Sequence, residues 1–292
     1  MQTFRGKCGN YFEFILKVSI MFCCTESEIT LRSHFEDAYR RSRVPVIQEI
    51  ERRVCGCDYG GNSWTTKEQA DALIGQLRLD KHSDLLDLGA GTGWPGIYMA
   101  KETGCAVSLV DLPEIGLQLA KKRAAEEGLE QRVSVTIADA ADLPFAKGSF
   151  DAISHSDLLC CLIRKDVVLQ QCVRVLRPQG YMAFTVISIT RNLSKTQHER
   201  AIANAPGFAE IEIDYHSLLK NTGWRVTDWS DLTDEYRESC VRQIDADAEN
   251  QSALENLLGS QETKERASNW GAKLDAMNDG LLLRELFVCQ PA

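Results

Sequence analysis

Between Leu85 and Gly96 the chain reads LLDLGAGTGWPG, an apolar run that meets Asp87 and then glycine at 89, 91 and 93. Glycines are needed where a backbone turns sharply from strand to helix and lets a ligand come within contact distance, because any Cβ would intrude. The segment predicts a strand, a ligand-seating loop and a helix in succession. From Ser83 onward short apolar runs alternate with helical stretches: strands at 84–88, 106–110, 133–137, 150–154 and 181–187, with helices near 96–102, 115–127 and 166–176 between them. That alternation predicts an α/β fold, a doubly wound parallel sheet with helices on both faces. Beyond it lie a polar stretch at 191–207, a helix at 215–221, a strand at 224–229, one long charged helix over 233–277 and a closing strand at 281–289. Ahead of the sheet, 27–53 reads as a single helical arm with Leu31, Phe35, Val46, Ile47 and Ile50 as buried positions. Gly60, Gly61 and Asn62 punctuate the chain before a helix of about 66–77 that Thr65 or Thr66 can cap.

Lys and Arg total 33 against 42 Asp and Glu, a formal charge of −9, and no stretch gathers enough cations to track a phosphate backbone. Nucleic acid is therefore not an expected partner. The eleven cysteines are odd in number and lack the framework of a small secreted domain, which predicts reduced thiols and a cytoplasmic protein. Tyr11 to Cys24 is apolar but is interrupted by Glu13 and Lys17 and too short for a bilayer, so no stable membrane span is expected. Residues 1–20 read as an upstream extension or a loosely docked helix.

Asp-x-Gly-x-Gly-x-Gly after a first strand resembles motif I of the class I S-adenosylmethionine (SAM)-dependent methyltransferases, and further segments follow in the order of that family. Asp111 ends the second strand, where the resemblance implies an acidic residue that accepts hydrogen bonds from both ribose hydroxyls. Asp139 and Ala140 follow the third strand, where it implies contacts to the adenine amino group and a ring nitrogen. GSFDAISHSD is similar to the fourth strand, which releases the chain at Ser154, His155 and Ser156 beside the reacting methyl, and VLRPQGYMAF is similar to the fifth-strand hairpin. The resemblance implies a Rossmann-like sheet of seven strands with the last antiparallel, SAM as cofactor, and a cofactor site of Asp87, Gly89, Ala90, Gly91, Gly93, Trp94, Asp111, Leu112, Asp139, Ala140 and Ser154. Residues 1–65 are expected to form an extension and helical lid over a methyltransferase domain at 66–292, with 191–215 as a substrate-side insertion.

The overall look is closest to the ubiquinone/menaquinone-type group, and the acceptor implied is a small molecule. A sulfonium methyl is already activated, so holding the nucleophile in line supplies much of the rate and no metal is called for. His155 is the candidate base, with Asp157 as a second; the alternatives are packing for the first and a helix cap for the second. Tyr59, Trp64 and Trp94 are candidate walls of the pocket. Gly91-Thr-Gly93-Trp-Pro-Gly96 also fits GxGxxG, which keeps a nicotinamide dinucleotide in play, though that motif alone is weak. Cys160-Cys161 raises an arsenite or thiol methyltransferase, Cys55-x-Cys57 lacks the second pair of a zinc site, and a SAM-binding protein without transfer activity is a further alternative.

Overall fold

A computed structural model describes residues 25–60 and 63–292. The readings placed on 1–24, and on Gly61 and Asn62, lie outside the described residues. The strands are β1 (Asp84–Leu88), β2 (Ala106–Asp111), β3 (Val133–Ile137), β4 (Phe150–Ser156), β5 (Leu176–Ile189), β6 (Trp224–Asp231) and β7 (Leu282–Pro291). They form one seven-stranded sheet in the order β3-β2-β1-β4-β5-β7-β6. β7 runs antiparallel to both β5 and β6, while the other pairings are parallel.

Side-chain alternation divides the interior into two cores. Leu85, Ala152 and Ala183 face one side of the sheet with Val107, Leu109, Ile97 and Met99, whereas Leu86, Ile153 and Phe184 face the other with Phe287, Trp224 and Val168. Consecutive residues of one strand thus serve different cores, as a pleat with period two requires. Leu85, Leu86 and Leu88 are all fully buried, the mark of a central parallel strand covered on both faces. At the edge, β6 has a register shift between Val226 and Asp228 and carries exposed charges, which blunts pairing with another chain.

Helices α4 (Gly96–Thr103), α5 (Glu114–Glu126) and α6 (Lys165–Val175) make the crossovers. The expected single arm is two helices, α1 (Glu26–Arg41) and α2 (Pro45–Cys55). Pro45 is the reason: without an N–H and with its ring against the preceding turn it cannot continue α1, but it suits the first position of a new helix. α3 (Lys67–Gln76) begins with a capping box on Thr66 and Gln69. The stretch after Arg191 holds a helix, α7 (Lys195–Asn204), started by a second box in which Ser194 accepts from the Gln197 N–H. α8 (Tyr215–Asn221) precedes β6. The charged segment is three helices, α9 (Thr233–Glu249), α10 (Gln251–Leu258) and α11 (Ser260–Asn278), parted at Asn250 and at Gly259. Gly259 has φ 86° and ψ 157°, a conformation reserved for glycine.

The sheet order reverses between β1 and β4, the neighbours from which the chain winds outward in opposite directions. A crevice at the carboxyl ends of such strands is where doubly wound sheets bind ligands. Gly96 sets how closely α4 approaches that point, since a Cβ there would lie 2.5 Å from Asp87 Oδ2 and 2.8 Å from Leu109 Cδ2. Gly96→Ala should therefore lower stability by about 1–3 kcal/mol through overpacking, read as a lower urea midpoint. An unchanged midpoint would mean that α4 can back away freely.

Candidate active site

The glycine loop is held from below. Asp87 is buried, with Oδ1 accepting the Ser154 hydroxyl at 2.7 Å and Oδ2 accepting the Gly96 N–H at 3.1 Å. It thereby clamps β1 to β4 and to the head of α4. Burial without a cation pushes its carboxyl up to about 7. Ala90 is also buried, and its N–H donates to the Val110 carbonyl at 3.1 Å. Asp87, Ala90, Gly91, Gly93 and Ser154 thus build the loop, whereas Gly89, Trp94, Asp111, Leu112 and Asp139 line the cavity above it.

At the end of β2, Asp111 faces this loop. Its Oδ2 accepts the Gly91 N–H at 2.8 Å and its Oδ1 accepts the Leu112 N–H at 2.7 Å. Gly91 must present that N–H with φ 52°, and a Cβ on it would lie 2.7 Å from the Tyr39 hydroxyl oxygen on α1. Desolvation raises the Asp111 carboxyl to about 6 against the pull of the two N–H groups and of Arg32. Asp139, after β3, accepts the Ala141 N–H at 2.8 Å and is paired with Arg164. Ala140 packs against the apolar core, and Ala141 takes the cavity-facing place.

Two of the three aromatic candidates line the cavity. Trp94 donates its indole N–H to the Thr65 carbonyl at 2.8 Å, and Trp64 meets Tyr236 and Trp270 edge-on at 5.0 and 5.4 Å. Tyr59 lies behind Trp94 at 5.2 Å, under the Arg123 guanidinium at 4.1 Å from its ring. The cavity measures about 1180 Å³ and runs from the strand ends to α1, α2 and α11. That exceeds the roughly 300–1,000 Å³ of a pocket for one drug-sized ligand.

His155 points elsewhere. It is 1% exposed, its ring stacks on Phe184 at 4.5 Å, and neither ring nitrogen has a partner among the described residues. Burial pushes the imidazole down to about 3, so it is neutral, and it is not among the residues that line the cavity. Asp157 does reach the cavity, with φ 53°, but its carboxylate is engaged: Arg284 donates from Nε to Oδ1 at 3.1 Å and from Nη2 to Oδ2 at 2.9 Å. Cys160 and Cys161 turn their thiols to the Asp157 carbonyl oxygen at 3.0 and 3.7 Å, and the adjacent thiol and burial push Cys160 well up. Cys55 donates to the Ser63 carbonyl at 3.2 Å, and burial pushes its thiol up to about 12. Such thiols are protonated and poorly reactive.

Arg284 is the residue that sequence reading missed. Although 0% exposed, it reaches Thr65 Oγ1 at 3.3 Å, Gln69 Oε1 at 3.1 Å and Thr185 Oγ1 at 3.2 Å besides Asp157. Thr65 in turn donates to the Ser156 hydroxyl at 2.9 Å. The available signal was period two in LLLRELFVCQ, which puts Arg284 on the face of buried Leu286 and Val288.

Residues 86–184 match a family profile described as a methyltransferase domain. The methyltransferase GfsG of Streptomyces halstedii is 27% identical over 225 residues, which cover 74% of this chain and 78% of that one. The chain carries a class I SAM-dependent methyltransferase domain. The 27-O-demethylrifamycin SV methyltransferase of Amycolatopsis mediterranei is 27% identical over 67% of the chain and 74% of its own length. Among solved structures, a Haemonchus contortus phosphoethanolamine N-methyltransferase in complex with phosphomonomethylethanolamine and S-adenosylhomocysteine superposes with a TM-score of 0.73. The match has 19% identity and spans 88% of this methyltransferase and 60% of that chain. Among the described residues of the methyltransferase no helix is long and apolar enough to cross a membrane.

Two predictions follow from the clamps. Arg284→Met leaves the Asp157 carboxylate, 11% exposed at the cavity wall, without its cation, so stability should fall by up to about 3 kcal/mol, with Arg284→Lys losing less; equal loss in both would point to shape rather than charge. Asp87 has a folded-state pKa above its unfolded value near 3.9, so its contribution is fully present at low pH and is lost as pH rises through about 7. The free protein's stability should decline over that interval, and Asp87→Asn should flatten the decline in chemical denaturation repeated at several pH values.

Proposed function

We propose that the chain transfers the methyl group of SAM to a small molecule seated between the strand-end loops and the helices α1, α2, α9 and α11. The observation that supports this most is the single cavity, larger than one such ligand needs, that joins Asp111 and Asp139 at one end to Trp64 and Trp270 at the other. The residues fit the cofactor. Each Asp111 oxygen accepts one backbone N–H, and a carboxylate oxygen has a second lone pair for a ribose hydroxyl. Ile137 ends β3 on the cavity wall at 41% exposure, a flat apolar surface suited to an adenine face beside Asp139. The names of the relatives, acting on a rifamycin precursor and on phosphoethanolamine, favour a small acceptor over a macromolecule.

When bound, SAM supplies a methyl already activated by its sulfonium, so no Lewis acid is needed. What the chain adds is placement. The Asp87 clamp fixes the glycine loop, the Asp111 carboxylate orients the ribose, Trp64 and Trp94 wall the reacting region from water, and Arg284 holds Asp157 at the turn after β4. In this reading His155 is a packing residue and Asp157 a positioning one. Of the extension read over 1–65, the described part acts as the cover of a domain at 66–292, with α1 bringing Tyr39 onto the glycine loop, and 191–215 contributes Pro206 and Gly207 to the acceptor side. A cytoplasmic setting is supported by the eight described cysteines, all free thiols.

Calorimetric titration tests the cofactor half: SAM and its demethylated product should bind, NAD(H) should not, and Asp111→Ala and Gly91→Val should abolish binding. Retention of binding in both variants would move the cofactor away from the glycine loop. Transfer from methyl-labelled SAM to small-molecule pools should then survive His155→Phe.

A further inference from the structure

Five Lys and Arg side chains line the cavity: Arg32, Arg41, Arg164, Arg266 and Lys273. The four arginines are paired with Glu36, Glu262, Asp139 and Asp247 respectively. Lys273, half-buried on α11, has no hydrogen bond or ion pair among the described residues. One helical turn before it stands Trp270, whose ring centroid is 5.7 Å from the Lys273 ammonium. The Trp270 indole N–H is itself buried without an acceptor among the described residues. A buried donor with no partner marks a missing acceptor, because such groups are otherwise satisfied in folded chains. Here two donors, one of them charged, lack acceptors among the described residues, on one face of one helix that lines one cavity. The feature they have in common is a demand for an anionic oxygen.

We propose that Lys273 and the Trp270 indole N–H form an acceptor subsite for a carboxylate, so that this methyltransferase acts on small carboxylic acids. The inference rests on the methyl-transfer reading above and narrows its substrate class. Several features favour a ligand over a purely internal role. Burial lowers the Lys273 ammonium pKa, so the charge is held at a cost in the free protein and an arriving carboxylate restores its favourable surroundings. Trp64, edge-on to Trp270 at 5.4 Å, offers an apolar surface for the remainder of the acid. The subsite stands on α11, whereas Asp111 ends β2 and Asp139 follows β3, so the cofactor and the acid have different anchors.

The test uses the full chain saturated with S-adenosylhomocysteine and a set of small aliphatic and aromatic monocarboxylates, each matched with its primary amide, with binding followed by ligand-observed NMR. Carboxylates should bind and their amides should not. Lys273→Met should weaken carboxylate binding by about tenfold or more while S-adenosylhomocysteine binding is unchanged, Lys273→Arg should restore much of it, and Trp270→Phe should weaken it by a smaller factor. Equal binding of acids and amides, absence of any binding acid, a preference that survives Lys273→Met, or a parallel loss of S-adenosylhomocysteine binding in Lys273→Met would each overturn the proposal. Failure of S-adenosylhomocysteine to bind the unaltered protein would instead overturn the cofactor reading beneath it.

Discussion

A fully buried guanidinium on β7 joins three parts of the chain that are far apart in sequence. Arg284 meets the Asp157 carboxylate at the end of β4, Thr185 on β5, and Thr65 and Gln69 at the start of α3. The desolvation cost of such a charge is offset only when nearly every donor is used, and here the fork finds four residues. Its orientation explains why the turn after β4 can hold Asp157 in the left-handed region and why α3 enters where it does. The Thr65 carbonyl then receives the Trp94 indole N–H, so the ion pair reaches the residue that follows the glycine loop.

Around this fixed centre the residues divide into those that build the glycine loop and those that face the cavity. Asp87 and Ser154 are spent on one another and on Gly96, which makes the loop rigid but removes them from direct contact. Asp111 does both, ordering two backbone N–H groups while keeping lone pairs toward the cavity. This division has an electrostatic side. Both carboxyls are raised by desolvation, so the free site carries less negative charge than its composition implies.

Much of this was legible in the residues. Strands β1 to β4 follow from apolar runs between turn signals, and the antiparallel last strand from its place in a known order, because burial on both faces leaves little freedom in such segments. The glycine loop was equally plain, since only glycine meets its steric demands. Helix breaks were not: periodicity carried one reading through Pro45 and another through Asn250 and Gly259, where a single residue outweighs a dozen that fit the pattern. α7 was passed over although Ser194 and Gln197 spell its capping box. At the site, His155 is drawn inward because the pleat of β4 gives it to the Phe184 core, a choice of face that a residue type cannot announce. Arg284 shows the converse, since its partners come from segments that only the folded sheet brings together.

The sheet's connectivity also sets an order of events during synthesis. β6 is tied to the sheet only through β7, and β7 slots between it and β5. Until residues 282–291 leave the ribosome, β5 presents an open edge and β6 has no strand to pair with, the kind of exposed ladder that invites association with other chains. Arg284 arrives with that last strand, so the Asp157 turn and the entry of α3 are secured only when the sheet closes. The binding crevice is thus completed only once residues 282–291 have emerged, and a nascent chain halted shortly before that point would have most of its core and none of its finished site.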